Sequence, residues 1–349
     1  MKTSQRKSGR SSGASLPSAP TRTQLADFWN RLQAVGENGL NQAVPRGSKV
    51  AFLDYPVHAN TGDHFIWLGT ERWFERNQFD VIGRWHIDNF KFPKVGRDVV
   101  FVCQGGGNFG DLYRFQGLRE AVVAKYPHNR IVFLPQTIFF HDEAAMKASA
   151  ERLSRHEDLH FFVRATGSYE LAKKHFAKAN PRLVPDMATF LYPLSDRDPI
   201  DFEAARQTRS ILRLIRCDRE KSATSLVKPG ETTVDWPAFS PSLHKMIWTV
   251  LVAARVGGGL APSQWFAKQW QGVAQRLLDD AANAFREAGG LATNRLHGHI
   301  LASLLGVPNI VSDNNYGKCS AYFNTWHSDL SWSVLADVKS EPGPTAKAA

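Results

Sequence analysis

From residue 49 onward the sequence alternates short, nearly continuous apolar runs with longer segments of helical spacing. KVAFLDY (49–55), DVVFVCQ (98–104), RIVFLPQ (130–136) and HFFVRA (160–165) have the length of strands and carry apolar residues at successive positions. A strand that is apolar on both faces is covered on both faces, as in a parallel sheet flanked by helices. Between these runs lies GDHFIWLGTERWFERN (62–77), with Phe65, Leu68, Trp73 and Phe74 at helical spacing. Further helices are expected over 111–125 and 168–179, and shorter strands near 79–83 and 182–185. Strand–helix alternation with short connections predicts a doubly wound parallel sheet.

The pattern breaks over PLSDRDPIDFEAARQTR (193–209), a charged stretch with two prolines that reads as an interdomain linker. A second unit follows. SILRLIRC (210–217), LATN (291–294) and PNIVSD (308–313) read as strands, and 241–256, 262–288 and RLHGHILASLLG (295–306) as helices. The fold class predicted is therefore α/β: two Rossmann-like lobes, mostly parallel, with a cleft between them. The lobes are assigned to 23–200 and 201–335, the first opening on a helix over 23–35. Residues 1–22 and 336–349 hold too little apolar surface to offset their ordering entropy and read as disordered tails. MIWTVLVAA (246–254) is nine residues long and ends at Arg255. It falls short of the roughly 18–20 residues that cross a bilayer and reads as a buried helix.

The net charge is +10, and the five cations of residues 1–22 supply half of it. The remainder suits an anionic substrate or a lipid surface and demands no nucleic acid, for which no motif is present. Cys103, Cys217 and Cys319 form no C-x-x-C pair, so neither a disulfide framework nor a zinc cage is expected. A cytoplasmic setting, reached without a secretory leader, is the expectation. No P-loop, no G-x-S-x-G elbow and no Asp-rich magnesium cluster is seen, which weighs against kinase and serine-hydrolase chemistry.

Ligands of open α/β sheets lie beyond the carboxyl ends of the strands, so the loops after strands are the places to search. In HANTGDHF (58–65), Asp63 is either a helix-capping residue or a base facing the cleft. GGGNFGDLY (105–113) formally satisfies G-x-G-x-x-G, but the next strand ends in LPQT with no acid for a ribose. It is not read as a dinucleotide site; its glycines would let backbone approach a ligand or a neighbouring loop. Arg164 ends a strand, where it suits bidentate capture of a carboxylate or phosphate, or else forms an ion pair. In TNRLHGHILASLLGVPNIVSDNNYGK (293–318), Arg295 and His297 open a helix whose N-terminus already favours an anion, and Lys318 can return to the same place. His297 and His299 do not share a helix face; they make a poor metal pair, and one of them is expected to be structural. Three cations, a histidine and an aspartate suggest a small polyanionic substrate.

These segments, together with LDYPVHANTGDHFIWLGT, VFVCQGGGNFGDLYRFQGLRE, LPQTIFF and VPDMATFLYP, resemble the polysaccharide pyruvyl transferase family, in particular its bacterial exopolysaccharide-biosynthesis members. The resemblance spans about 49–330, and RLHGHI followed by NNYGK is its most specific part. It implies a fold similar to the two-lobed GT-B glycosyltransferases. It also implies phosphoenolpyruvate as donor substrate with no cofactor or metal, and a saccharide or lipid-linked oligosaccharide as acceptor, with the inner membrane surface as a further partner. By motif, His297 would be the catalytic acid and Asp63 an acceptor-side residue. Arg164, Arg295, Leu296 and Lys318 would bind substrate, with Gly106 and Asn108 counted among the binding residues. Family members often carry an acid after the strand-end Arg; here that position is Ala165. The competing readings are a nucleotide-sugar glycosyltransferase of the same fold and a non-catalytic assembly factor anchored by the basic tail.

Overall fold

A computed structural model describes residues 15–194, 209–218, 224–256 and 264–336. Its first sheet has seven strands: β1 (Lys49–Leu53), β2 (Asp80–Trp85), β3 (Val99–Cys103), β4 (Gly106–Gly110), β5 (Ile131–Phe139), β6 (Leu159–Val163) and β7 (Pro181–Leu183). Their order is β2-β1-β3-β5-β6-β7, all parallel, with β4 paired to the far half of β5. The chain order reverses at β1, which places a topological switch point between β1 and β3. Helices α1 (Arg22–Leu40), α2 (Thr61–Arg76), α3 (Phe115–Lys125), α4 (Glu143–Leu153) and α5 (Thr166–His175) cover the sheet. The second sheet is also parallel, in the order β11-β10-β9-β8, from β8 (Leu212–Leu214), β9 (Leu291–Thr293), β10 (Asn309–Val311) and β11 (Ser333–Leu335). Around it lie α6 (Pro241–Val256), α7 (Gln264–Glu287), α8 (Leu296–Leu304) and the short α9 (Lys318–Tyr322).

β3 is buried at all five positions, as its unbroken apolar run demands. One apolar core covers a face of the first sheet and continues into the second unit; Phe65 of α2 meets Trp236 edge to face at 5.6 Å. A separate core fills the opposite face of the first sheet, beneath α3 to α5. Helix α1 ties the two units together. Its Trp29 Nε1 donates to the Ser303 carbonyl of α8 at 3.2 Å, and Gln33 Nε2 to the Thr189 carbonyl at 3.0 Å.

Several expectations change. The first helix begins at Arg22, fixed by a capping box in which Thr21 accepts from the Gln24 N–H and the Gln24 side chain accepts from the Thr21 N–H. Residues 15–21, read as part of the tail, lie on the second unit, Leu16 against Gly290 and Pro20 against Gly306. Residues 1–14 and 337–349, and most of the expected linker (195–208), lie outside the described residues. The GGNFG segment is a strand rather than a loop. Gly110, at φ +139°, lies so close to β5 that a Cβ there would fall 1.7 Å from the Phe139 carbonyl oxygen. The expectation for MIWTVLVAA is overturned: Ile247 is sealed, but Trp248 is 56% and Val252 54% exposed. The run has no alternation to mark a solvent face, because that face is itself apolar.

Candidate active site

The carboxyl ends of β1, β4, β6, β8, β9 and β10 converge on one cavity of about 270 Å³. Small-ligand sites are on the order of 300–1,000 Å³, so its size suits a compact ligand. Asp63, Asn108, Arg164, Arg295, Leu296, His297 and Lys318 all line it, joined by His58, Arg216 and Trp236. Of the expected site residues only Gly106 lies outside that lining. It sits at φ +127° behind the wall, where a Cβ would come within 3.2 Å of Ile66 Cδ1.

Arg164, at the end of β6, is buried. Its Nε donates to Thr137 Oγ1 at 2.9 Å and its Nη1 to Asp186 Oδ2 at 2.5 Å. Asp186 follows β7 and caps the short 3-10 turn Met187–Leu191, accepting from the Ala188 N–H through Oδ1. Burial pushes its carboxyl toward protonation, but Arg164 and then His297 outweigh this and hold it well below the ordinary carboxylate range. With Ala at 165, the acid that pairs with Arg164 is Asp186. His297 Nε2 lies 3.5 Å from the same Asp186 Oδ2. That nitrogen is shut off from solvent and has no closer hydrogen-bond partner among the described residues. The rest of the ring rests on Gly62, where a Cβ would come 2.5 Å from Nδ1 and 2.9 Å from Cβ of the histidine. The NTGD and RLH segments, 235 residues apart by the numbering of Gly62 and His297, therefore touch.

On the opposite wall Arg295 is the N-cap residue of α8. Its Nε and Nη2 fork onto the two oxygens of Asp235 at 2.5 Å each, and Nη2 also reaches Asp218 at 3.2 Å. Arg216, beyond β8, donates from Nε and Nη2 to Asp218 at 2.8 and 2.9 Å. Each guanidinium has five N–H donors. A carboxylate that takes two of them fixes the fork in place. The first N–H groups of α8 lack intrahelical acceptors and carry the positive end of the helix dipole toward the same space. Lys318 opens α9, its Nζ 5.4 Å from the Tyr316 ring centroid.

Asp63 is the third residue of α2, whose N-cap is Asn60. Its carboxylate accepts from Asn60 Nδ2 at 3.0 Å and lies 3.4 Å from His58 Nε2. Desolvation lowers His58 below its ordinary value despite Asp63. Asn108 is held by Arg119, which donates from Nη2 to its side-chain oxygen at 2.6 Å and from Nη1 to its carbonyl at 3.2 Å. Gly107 leaves room for Arg164, whose Nη2 would be 3.3 Å from a Cβ there. His299 is the structural histidine of the pair. It is fully buried with Nδ1 2.7 Å from Asn309 Oδ1 and Nε2 2.8 Å from His327 Nδ1. Burial lowers its pKa to about 4.

The structure adds Asp186, Arg216, Asp235 and Trp236, none of which was singled out from the sequence. Arg216 follows the rule that pointed to Arg164, a cation closing an apolar strand. Asp186 stands in the quoted VPDMATF segment as the first acid after a strand. Asp218 is likewise the first acid after the strand 210–217, whereas Asp235 comes from a poorly patterned stretch and carries no such sign. Among the described residues, no group of three or more His, Cys, Asp or Glu side chains is arranged to hold a metal ion.

The model of the family described as "Polysaccharide pyruvyl transferase" matches residues 60–316. The chain is 37% identical over 295 residues to EpsO of Bacillus subtilis strain 168, named as a pyruvyl transferase, covering 83% of this chain and 88% of EpsO. It is 27% identical over 301 residues to "Pyruvyl transferase 1" of Schizosaccharomyces pombe, covering 80% and 69%. A crystal structure of a Klebsiella pneumoniae protein of unassigned function shares the fold, with a TM-score of 0.55 at 17% identity over 91% of this chain and all of that one. On the family match over residues 60–316 and the 37% identity to EpsO, the chain belongs to the polysaccharide pyruvyl transferase family.

Proposed function

We propose that the protein transfers the pyruvyl group of phosphoenolpyruvate to a pair of hydroxyls on a sugar of an exopolysaccharide repeat unit or a related glycan, closing a cyclic ketal. The observation that carries this reading is the position of His297. Its ring is held between Gly62 and the carboxylate of Asp186, at the mouth of a helix and among four cations. Asp186 Oδ2, 3.5 Å from Nε2, and Gly62, packed against the Nδ1 side, fix the ring's place in the cavity wall.

Phosphoenolpyruvate carries a carboxylate and a phosphate, which the forks of Arg164, Arg216 and Arg295 with Lys318 are suited to bind. His297 gives a proton to the methylene carbon, and C2 becomes oxocarbenium-like. The first sugar hydroxyl attacks C2 while Asp63 takes its proton. The C2–O bond to phosphorus then breaks, phosphate leaves with its charge met by the fixed cations, and the second hydroxyl attacks C2 to close the ketal. The proton of that second hydroxyl leaves with phosphate or solvent, so one proton is consumed at carbon and two are released from oxygen.

Incubation with phosphoenolpyruvate and a panel of hexosides tests this, following phosphate release and a mass gain of one pyruvate less one water. His297→Ala is expected to lose roughly 10²–10⁴-fold in turnover. A variant that consumes phosphoenolpyruvate at the normal rate overturns the mechanism. Thermal stabilisation by UDP-sugars but not by phosphoenolpyruvate would assign the site to a nucleotide-sugar donor instead.

A further inference from the structure

We infer that the outer face of α6, together with the start of α7, is a docking surface for an anionic lipid bilayer. α6 is sixteen residues long, and its solvent side mixes apolar residues with Lys245 and Thr249. Lys245, Trp248, Thr249 and Val252 recur at helical spacing along its solvent side. Trp248 is 56%, Val252 54% and Met246 37% exposed, and Trp265, the second residue of α7, is 70% exposed. These are the largest exposed apolar side chains grouped on adjacent elements among the described residues. Tryptophan is the residue that favours the boundary between water and acyl chains, where its ring is buried and its N–H stays wet.

Charge selects the occupant. From residue 241 to 278 the sequence has no acid, while it carries Lys245, Arg255, Lys268 and Arg276. A second copy of this chain docked on the same face would set Lys245 and Lys268, both exposed, against their own counterparts with no acid from 241–278 to pair them. An anionic headgroup layer meets both features at once: lysines against phosphates, and Trp and Val below them. Sixteen residues rise about 24 Å, less than the ~30 Å hydrocarbon core, and no helix among the described residues is long and apolar enough to cross. The helix would lie in the surface.

The surface begins beside the cavity. His244, in the first turn of α6, places Nε2 3.2 Å from the Ala59 carbonyl and 3.4 Å from Thr61 Oγ1, the two neighbours of Asn60. A bilayer under α6 would therefore bring a lipid-linked saccharide to the rim that holds Asp63. That consequence rests on the function proposed above; the binding itself does not.

Flotation of the full chain with vesicles of phosphatidylcholine alone and with added phosphatidylglycerol tests the inference. Capture by the phosphatidylglycerol vesicles is expected, weakening as salt is raised. Trp248→Ser/Val252→Ser/Trp265→Ser should lose at least tenfold in capture while keeping its melting temperature and its turnover of a soluble hexoside. The inference falls if the wild type is not captured, or if the triple variant floats as well as the wild type. It also falls if replacing Lys2, Arg6, Lys7 and Arg10 by Gln abolishes capture that the triple variant retains. A dimer in light scattering that the triple variant dissolves would assign the face to a second copy. Absence of turnover with every hexoside would end the proposed function and leave the flotation result standing.

Discussion

Arg164 and Arg295 both close a strand on a wall of the same cavity, and both are held by aspartate, yet the two arrangements are not equivalent. Arg164 and Asp186 are almost wholly sealed, and the carboxylate is shared with His297. Arg295 forks onto Asp235, itself 12% exposed, and touches Asp218, which is 45% exposed. On the first wall the carboxylate sets both the place of a guanidinium and the charge seen by an imidazole. On the second it sets only place. Arginines with identical sequence signatures thus differ in what depends on their partner acids, and the difference is fixed by what else each acid touches.

The sharpest way to break this comparison is to remove the acids one at a time. Asp186→Ala leaves Arg164 buried without its counter-charge and should cost about 3–5 kcal/mol of stability. Asp235→Ala leaves Arg295 near solvent with Asp218 still in reach, and about 1–2 kcal/mol is expected. Urea midpoints measure both, and equal losses would erase the contrast. Asp186→Asn keeps the shape and removes the negative charge 3.5 Å from the His297 ring, so kcat should fall by roughly 10²-fold, the low end for a positioned proton donor. Asp235→Asn should act on KM for the donor more than on kcat.

A smaller change sharpens the same point from the other side of the ring. Gly62→Ala adds a methyl at a site where the nearest atoms of His297 are 2.5–2.9 Å away. The ring must move off Asp186, and turnover should drop about 10-fold or more, since misplacement of about an ångström costs up to 10²-fold. Gly167→Ala is the control, because nothing lies within 4 Å of its added carbon; Ala is also the better helix former there. Unchanged turnover in Gly62→Ala would remove His297 from the reaction.

Much of this architecture was legible because its causes are local. Apolar runs such as VVFVC need two covered faces wherever they lie, and the strand-end rule then located Arg164 and the 293–318 segment. What escaped notice depends on distance in the chain. Asp186 becomes important only because β7 sets it beside β6, and Asp235 only because a bridge between Val234 and Leu214 brings its loop to the end of β8, which pairs with β9. β4 hides in GGNFG because a glycine strand has no side-chain pattern to read. The exposed side of α6 was misread for a related reason: apolarity reports that a face avoids water, not whether protein is what covers it.

The walls also differ in how they answer to pH, which gives the smallest of the expected effects. His64 behind the first wall and His299 behind the second are both buried and both lowered to about 4 by desolvation. Below their ordinary value of about 6.5 the unfolded chain takes up protons that the folded one refuses. Both walls therefore lose stability as pH falls from about 6.5 toward 4. The first wall also carries an opposing group. Asp54, at the end of β1, is buried with Oδ1 lacking a hydrogen bond among the described residues, and burial raises its pKa to about 7 against the pull of Arg119 and Arg114. From about pH 4 to 7 the folded chain keeps a proton there that the unfolded chain has released, so this contribution falls as pH rises. Asn fits the same φ of +72° without the charge. Asp54→Asn should steepen the rise of stability with pH between 4 and 7 by one proton, about 1.4 kcal/mol per pH unit, read from urea unfolding at a series of pH values. An identical slope in the variant would mean that Asp54 ionises as an ordinary carboxylate and that the two walls titrate alike.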